Sequence, residues 1–144
     1  MSNIGLFNTS VPQEDCPPLQ EGSESVRSLR EHLVRSLSLR VLSVPQPPLD
    51  PEHGVTTRIA ILFSGGLDCT VLARLTSELL PEGQGIDLIN VAFENPRIAA
   101  RLPAGSSATA IYEACPDRIT GRKSFGELCD VCPGRQWRFI SVSF

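Results

Sequence analysis

One stretch constrains this chain more than any other: Arg58-Ile59-Ala60-Ile61-Leu62-Phe63-Ser64-Gly65-Gly66-Leu67-Asp68-Cys69. An apolar run is followed by Ser-Gly-Gly, then by an acid, then by apolar residues at helical spacing. The pattern predicts a buried strand over 58–63 that ends in a glycine turn opening a helix. Such a junction points unpaired backbone N–H groups at one spot, and the helix dipole adds positive potential there. An anion fits it, and a phosphate is the anion such junctions commonly hold. Two glycines let the backbone approach the ligand with no Cβ in the way. A plain strand-to-helix turn is the alternative.

The motif is not a Walker A loop, which would close on Gly-Lys-Ser/Thr. No lysine follows here, and Asp68 stands where that charge would be. A carboxylate beside an anion requires a cation between them, so Asp68 implies a divalent metal, Mg²⁺, bridging carboxylate and phosphate oxygens. The alternative is a first-turn acid complementing the helix dipole. The dinucleotide pattern G-x-G-x-x-G is absent too.

At this point the chain resembles the pyrophosphate-loop ATP enzymes, whose Ser-Gly-Gly-x-Asp-Ser closes the first strand. Leu62-Phe63-Ser64-Gly65-Gly66-Leu67-Asp68 resembles the synthetase domain of asparagine synthetase. It resembles the asparagine synthetase domain-containing proteins of eukaryotes more closely still. Further stretches share that likeness: Asp68-Cys69-Thr70-Val71-Leu72-Ala73, Asn90-Val91-Ala92-Phe93-Glu94-Asn95-Pro96-Arg97 and Pro116-Asp117-Arg118-Ile119-Thr120-Gly121. The resemblance covers residues 24–144. It implies an α/β fold, a partial Rossmann-like parallel sheet of the adenine-nucleotide alpha-hydrolase type. It also implies that Mg-ATP activates the side-chain carboxylate of aspartate to β-aspartyl-AMP, with pyrophosphate leaving. Ammonia, released from glutamine by an upstream amidotransferase domain that this chain does not carry, then forms the amide.

By that resemblance Ser64, Gly65 and Gly66 hold the pyrophosphate, Leu67, Asp68 and Cys69 line the loop, and Asp68 holds the metal. The flanking runs, taken with the resemblance, favour a phosphate over a plain strand-to-helix turn at residues 64–66. Cys69 stands where most of the family has serine, and its thiol is a weaker hydrogen-bond donor to phosphate than a hydroxyl. The subfamily it resembles also carries cysteine there, so no nucleophilic role is assigned to it. The backbones of Phe63 and Phe93 edge an adenine pocket at the C-terminal ends of strands one and two, while their side chains are expected to pack in the core. The resemblance also implies a second glycine- and acid-rich loop, which nothing after Gly121 supplies, and a catalytic lysine, which Lys123, the one lysine present, does not place. Ser2 stands where a glutaminase would begin with cysteine. The chain is therefore expected to carry part of a synthetase domain. A non-catalytic nucleotide-binding or interaction protein is the second reading.

The rest of the sequence frames this motif. Residues 1–23, with Pro12, Pro17 and Pro18 and no periodicity, are predicted to form a disordered tail. Residues 24–43 carry Val26, Leu29, Leu33, Val34, Leu37 and Val41 at helical spacing, an amphipathic packing helix. Residues 44–57 are Pro-rich and predict a linker. Residues 58–144 form the ATP-binding part, with strand one central in its sheet. The next helix is expected to bury Val71, Leu72, Leu75 and Leu79. Residues 86–93 predict strand two, and together these make a right-handed β-α-β unit. Residues 95–116 show no regular pattern. Ser124 and Glu127 match a capping box that would start a short helix stopping at Pro133-Gly134. Residues 136–142 alternate, with Trp137 and Phe139 on one face, and predict strand three.

With 144 residues, net charge −3 and 20% charged residues, nothing suggests a nucleic-acid partner. No apolar run is long enough to span a bilayer, and the N-terminus lacks signal-peptide character, so a cytoplasmic setting with five reduced cysteines is expected. Cys129-Asp130-Val131-Cys132 is a lone C-x-x-C, read as two helical cysteines, since a four-ligand zinc site needs more. Asp117-Arg118 reads as a local ion pair in a loop, worth little if exposed, and His32 and His53 as isolated.

Overall fold

The computed structural model describes residues 18–45, 57–103 and 105–144. Most of the expected tail and linker (1–17 and 46–56, His53 included) lies outside the described residues. The elements run α1 (Glu24–Val41), β1 (Thr57–Leu62), α2 (Leu67–Leu79), β2 (Gly85–Ala92), α3 (Pro96–Ala99), α4 (Ala108–Glu113), α5 (Pro116–Val131) and β3 (Trp137–Ser143). The strands form one sheet in the order β1-β2-β3, with both pairs parallel. This α/β arrangement is consistent with a Rossmann-like fragment.

Within the described residues β2 is the central strand and β1 lies at an edge, contrary to the central position expected from its apolar run. The two faces of the sheet differ accordingly. Ile59 and Phe63 of the first strand and its turn, with Ile86 and Leu88 of β2, are buried against Ala73, Leu80, Val41 and Leu128 from the helices. Trp137 and Phe139 pack against the same cluster, on one face as the alternation predicts. The opposite face shows Ala60 exposed and Leu62 75% exposed, with Ile89, Val91, Ile140 and Val142 half-buried. Asp87 and Arg138, paired in register on that face, form a two-pronged salt bridge at 2.8 and 2.6 Å.

In α1, Val41 is buried and Val26, Leu33, Val34 and Leu37 are half-buried, but Leu29 stays exposed. In α2 the buried positions are Ala73, Leu75, Thr76 and Ser77. Val71 is exposed, because the helix turns that edge toward a groove of about 520 Å³ bounded by Thr70, Val71, Arg74, Leu75, Glu127, Leu128 and Val131. The C-terminal end of α2 is closed by a distant residue. Arg135 donates through Nη2 to Ser77 O at 2.6 Å and Leu80 O at 2.8 Å, and through Nη1 to Gln84 O at 2.7 Å. Ser77 O and Leu80 O are carbonyls that a helix end leaves without partners, and Gln84 O belongs to the loop that leads into β2.

Residues 95–116, expected to be irregular, hold two short helices. Asn95 caps α3 by accepting from Arg97 N–H at 3.0 Å, with Pro96 in the first turn. Ser107 caps α4 by accepting from Ala110 N–H at 3.2 Å. Both caps use residue types suited to that position. The capping box at Ser124 is also corrected. The helix begins eight residues earlier, at Pro116 after N-cap Cys115, so Ser124 lies mid-helix with its side chain buried. Pro116 supplies the helical φ from the start, which the spacing of Ser124 and Glu127 concealed.

Candidate functional site

The turn from β1 to α2 has the local geometry its sequence demands. Gly65 has φ +84°, in the left-handed region, and a Cβ there would lie 2.4 Å from the backbone C and O of Thr120. Glycine is therefore required twice over, by conformation and by contact with α5. Gly66 is the N-cap of α2 in extended conformation, and a Cβ on it would meet only Ser64 Oγ, at 3.6 Å. Its outer side is open.

The first bond within α2 runs from Thr70 N–H to Gly66 O at 3.2 Å. The N–H groups of Leu67, Asp68 and Cys69 precede it and have no acceptor in their own helix, as at any helix start. Ser64, Gly66, Leu67 and Asp68 are exposed around them. Cys69 is half-buried and donates through Sγ to Gly66 O at 3.2 Å, so its thiol is turned back on its own helix. Asp68 stands in the first turn, exposed. Among the described residues no group of three or more His, Cys, Asp or Glu converges on one point. A cation shared between one carboxylate and the oxygens of a bound phosphate requires no such group. The donors and the lone acid thus fit a metal-bound phosphate.

Phe63 lies at the foot of the turn, 1% exposed, with both backbone groups engaged internally. Its N–H donates to Ile89 O at 2.7 Å, and its O accepts from Asn90 Nδ2 at 2.8 Å. Its side chain packs in the core as expected. Phe93 does not: its ring is 67% exposed and stacks on Phe144, with centroids 6.1 Å apart. The strand has ended by then, so no helix covers that ring. Phe93 lines a cavity of about 240 Å³ with Glu94, Asn95, Cys115 and Asp117, at the C-terminal end of β2. Ligands of open parallel sheets bind at this end of the strands.

Two further side chains hold the turn: Asn90, which the residue-by-residue reading did not single out and which links the turn to this cavity, and Ser124, which was expected to cap a helix. Asn90, fully buried on β2, donates through Nδ2 to Phe63 O and, at 2.9 Å, to the O of Asp117, a cavity-lining residue. Ser124 donates through Oγ to Gly65 O at 2.8 Å. The signal for Asn90 was a polar residue at the buried phase of an alternating strand.

Arg118, expected in a local loop pair with Asp117, is instead a buried anchor in α5, 1% exposed, donating to Val142 O at 2.7 Å and facing Glu113 at 3.4 Å. Arg122 grips the same carboxylate at 2.6 and 2.9 Å. Those hydrogen bonds hold the Glu113 carboxyl below its ordinary range, against a smaller opposing effect of burial. Cys129 lies in the last turn of α5, whereas Cys132, also expected on the helix, is its C-cap in a non-helical conformation. Burial pushes the Cys129 thiol up, while Cys132 Sγ accepts from Arg74 Nη1 at 2.9 Å. His32 is exposed on α1, its Nδ1 2.7 Å from Ser28 O.

Comparison with known proteins gives one consistent group. An asparagine synthetase domain-containing protein of Drosophila melanogaster is 41% identical over 86 residues, 60% of this chain and 14% of that protein. One of Saccharomyces cerevisiae is 41% identical over 127 residues, covering 83% and 21%. Asparagine synthetase domain-containing protein 1 of Bos taurus is 30% identical over 144 residues, covering 77% and 22%. No family model matches the chain, and no solved structure matches it. The chain spans about a fifth or less of the length of these curated relatives. Its homologues are thus asparagine synthetase domain-containing proteins, and it corresponds to one partial region of each.

Proposed function

We propose that this chain contributes the ATP-phosphate site of an asparagine synthetase-type domain, in a sheet of the adenine-nucleotide alpha-hydrolase type. The observation that carries the reading is the unpaired N–H row of Leu67, Asp68 and Cys69 at the open Gly65-Gly66 turn. The names of the homologues support the same reading. In this scheme the row and the Ser64 hydroxyl hold the phosphates that become pyrophosphate, an electrostatic role that needs donors fixed in advance. Asp68 holds Mg²⁺, which when bound offsets phosphate charge. The cavity beside Phe93 is the place for adenine. The reaction is adenylation of the aspartate side chain, followed by amide formation with glutamine-derived ammonia from an amidotransferase domain. The setting proposed is cytoplasmic. No helix among the described residues is long and apolar enough to cross a membrane.

The test is ATP–pyrophosphate exchange. Aspartate-dependent exchange that Asp68→Ala abolishes is the expected result; exchange indifferent to Asp68→Ala removes that residue from the metal role. A second reading keeps the phosphate site without catalysis, as a nucleotide-binding or interaction protein. It is favoured by Cys69, whose thiol donates to Gly66 O instead of standing free for a ligand. MgATP binding without any exchange would select it.

A further inference from the structure

Glycine turns have no side chains with which to hold themselves. In residues 64–66 the one internal contact is Gly66 N–H to Ser64 Oγ at 3.5 Å, too long to fix a conformation. The shape is imposed from outside: Thr70 Oγ1 and Cys69 Sγ of α2 donate to Gly66 O at 2.8 and 3.2 Å, and α5 holds Gly65. Thr120 and Gly121 lie flush against Gly65. One turn on, Ser124 Oγ donates to Gly65 O at 2.8 Å, buried, across 59 residues of sequence.

Mid-helix serine and threonine usually return their hydroxyl to a carbonyl of their own preceding turn. Thr120 does so, donating to Pro116 O at 2.9 Å. Ser124, four residues later on the same helix, does not, and its hydroxyl is spent on the turn. The consequence concerns the Gly65–Gly66 peptide. In a planar trans peptide the C=O and the following N–H point in opposite directions. With the carbonyl tied to α5, the Gly66 N–H is directed away from α5. A flipped peptide would exchange the two, presenting a carbonyl oxygen where Gly66 now presents its N–H.

We propose that Ser124 is a positioning residue that locks the Gly65–Gly66 peptide in its anion-accepting orientation, with α5 as the brace. Its functional consequence rests on the phosphate reading above, but its structural content does not. Two readouts separate them: ¹⁵N relaxation order parameters of the Gly66 amide in ligand-free protein, and the Kd for Mg-pyrophosphate. The control is Leu128→Ala, on the same helix and in the hydrophobic core.

In Ser124→Ala the Gly66 order parameter is expected to fall from about 0.85 to below about 0.6. The Kd is expected to rise about 5- to 10-fold, the equivalent of one hydrogen bond. Leu128→Ala leaves both unchanged although it weakens the fold. Gly66 remaining rigid in Ser124→Ala, or loosening equally in Leu128→Ala, overturns the lock. Loosening in Ser124→Ala with no pyrophosphate affinity in the unsubstituted protein upholds the lock and rejects the phosphate reading. Should Ser124→Ala not fold, Ser124→Cys, similar in volume and a weaker donor, takes its place against the same control.

Discussion

Helix α5 contains two interior glycines whose replacement by alanine should change stability in opposite directions. At Gly126 a Cβ would meet nothing within 4 Å. Gly126→Ala therefore collects the intrinsic helix preference of alanine, about 0.5–1 kcal/mol. At Gly121 the same Cβ would lie 2.5 Å from Asn90 Nδ2, 3.2 Å from its Cγ and 3.4 Å from the Phe139 ring. Asn90 has no room to retreat, being fully buried and donating to both Phe63 O and Asp117 O. Either α5 lifts or Asn90 turns and leaves two carbonyls short of a donor. Overpacking costs about 1–3 kcal/mol and each lost hydrogen bond about 1 kcal/mol. After subtracting the alanine gain, Gly121→Ala should destabilise by about 1–3 kcal/mol. The gap between the variants is then about 2–4 kcal/mol by these same principles. Urea unfolding followed by Trp137, the single tryptophan and half-buried on β3, measures it. A Gly121→Ala protein as stable as the unsubstituted one would refute the packing of α5 on Asn90.

Three further outcomes follow from the same geometry. Gly65→Ala places a Cβ at φ +84° and 2.4 Å from the Thr120 backbone, so a loss of about 2–5 kcal/mol is expected by thermal or urea melts. Arg135→Ala strips donors from Ser77 O, Leu80 O and Gln84 O, and should cost about 3 kcal/mol, with α2 amides near Leu79 exchanging hydrogen faster. Glu113 has a lowered folded pKa, so the stability its pairing with Arg122 contributes is present above the ordinary glutamate value of about 4.3 and is lost as pH falls through the folded value. Urea midpoints at pH 7 and at pH 3 should therefore differ more for the unsubstituted protein than for Glu113→Gln; equal pH dependence would contradict the pairing.

What the sequence made legible was local, and what it hid was tertiary. The strand, turn and helix around Gly65 and Gly66 follow from apolar runs and glycine chemistry within a dozen residues. The alternation over β3 placed Trp137 and Phe139 on the packed face. Residues 95–116 were harder, because α3 and α4 are too short for apolar periodicity and their only local signal is a cap at Asn95 and at Ser107. Ser124 misled because a serine three residues before a glutamate resembles a cap, whereas its hydroxyl serves a turn 59 residues away. Arg118 was unreadable for the same reason, since its acceptor is a carbonyl of β3. Phe93 looked like core but lies just past the end of its strand, where no helix covers it.

The central claim is that the turn at Gly65-Gly66 and the first turn of α2 receive a metal-bound phosphate. Amide ¹H–¹⁵N shifts during titration with ATP, with and without Mg²⁺, test it most directly. Saturable shifts are expected to concentrate at Gly66, Leu67, Asp68 and Cys69, to be stronger with Mg²⁺ and to lose that metal dependence in Asp68→Ala. Shifts absent at millimolar MgATP, or confined to residues away from this turn, would contradict it.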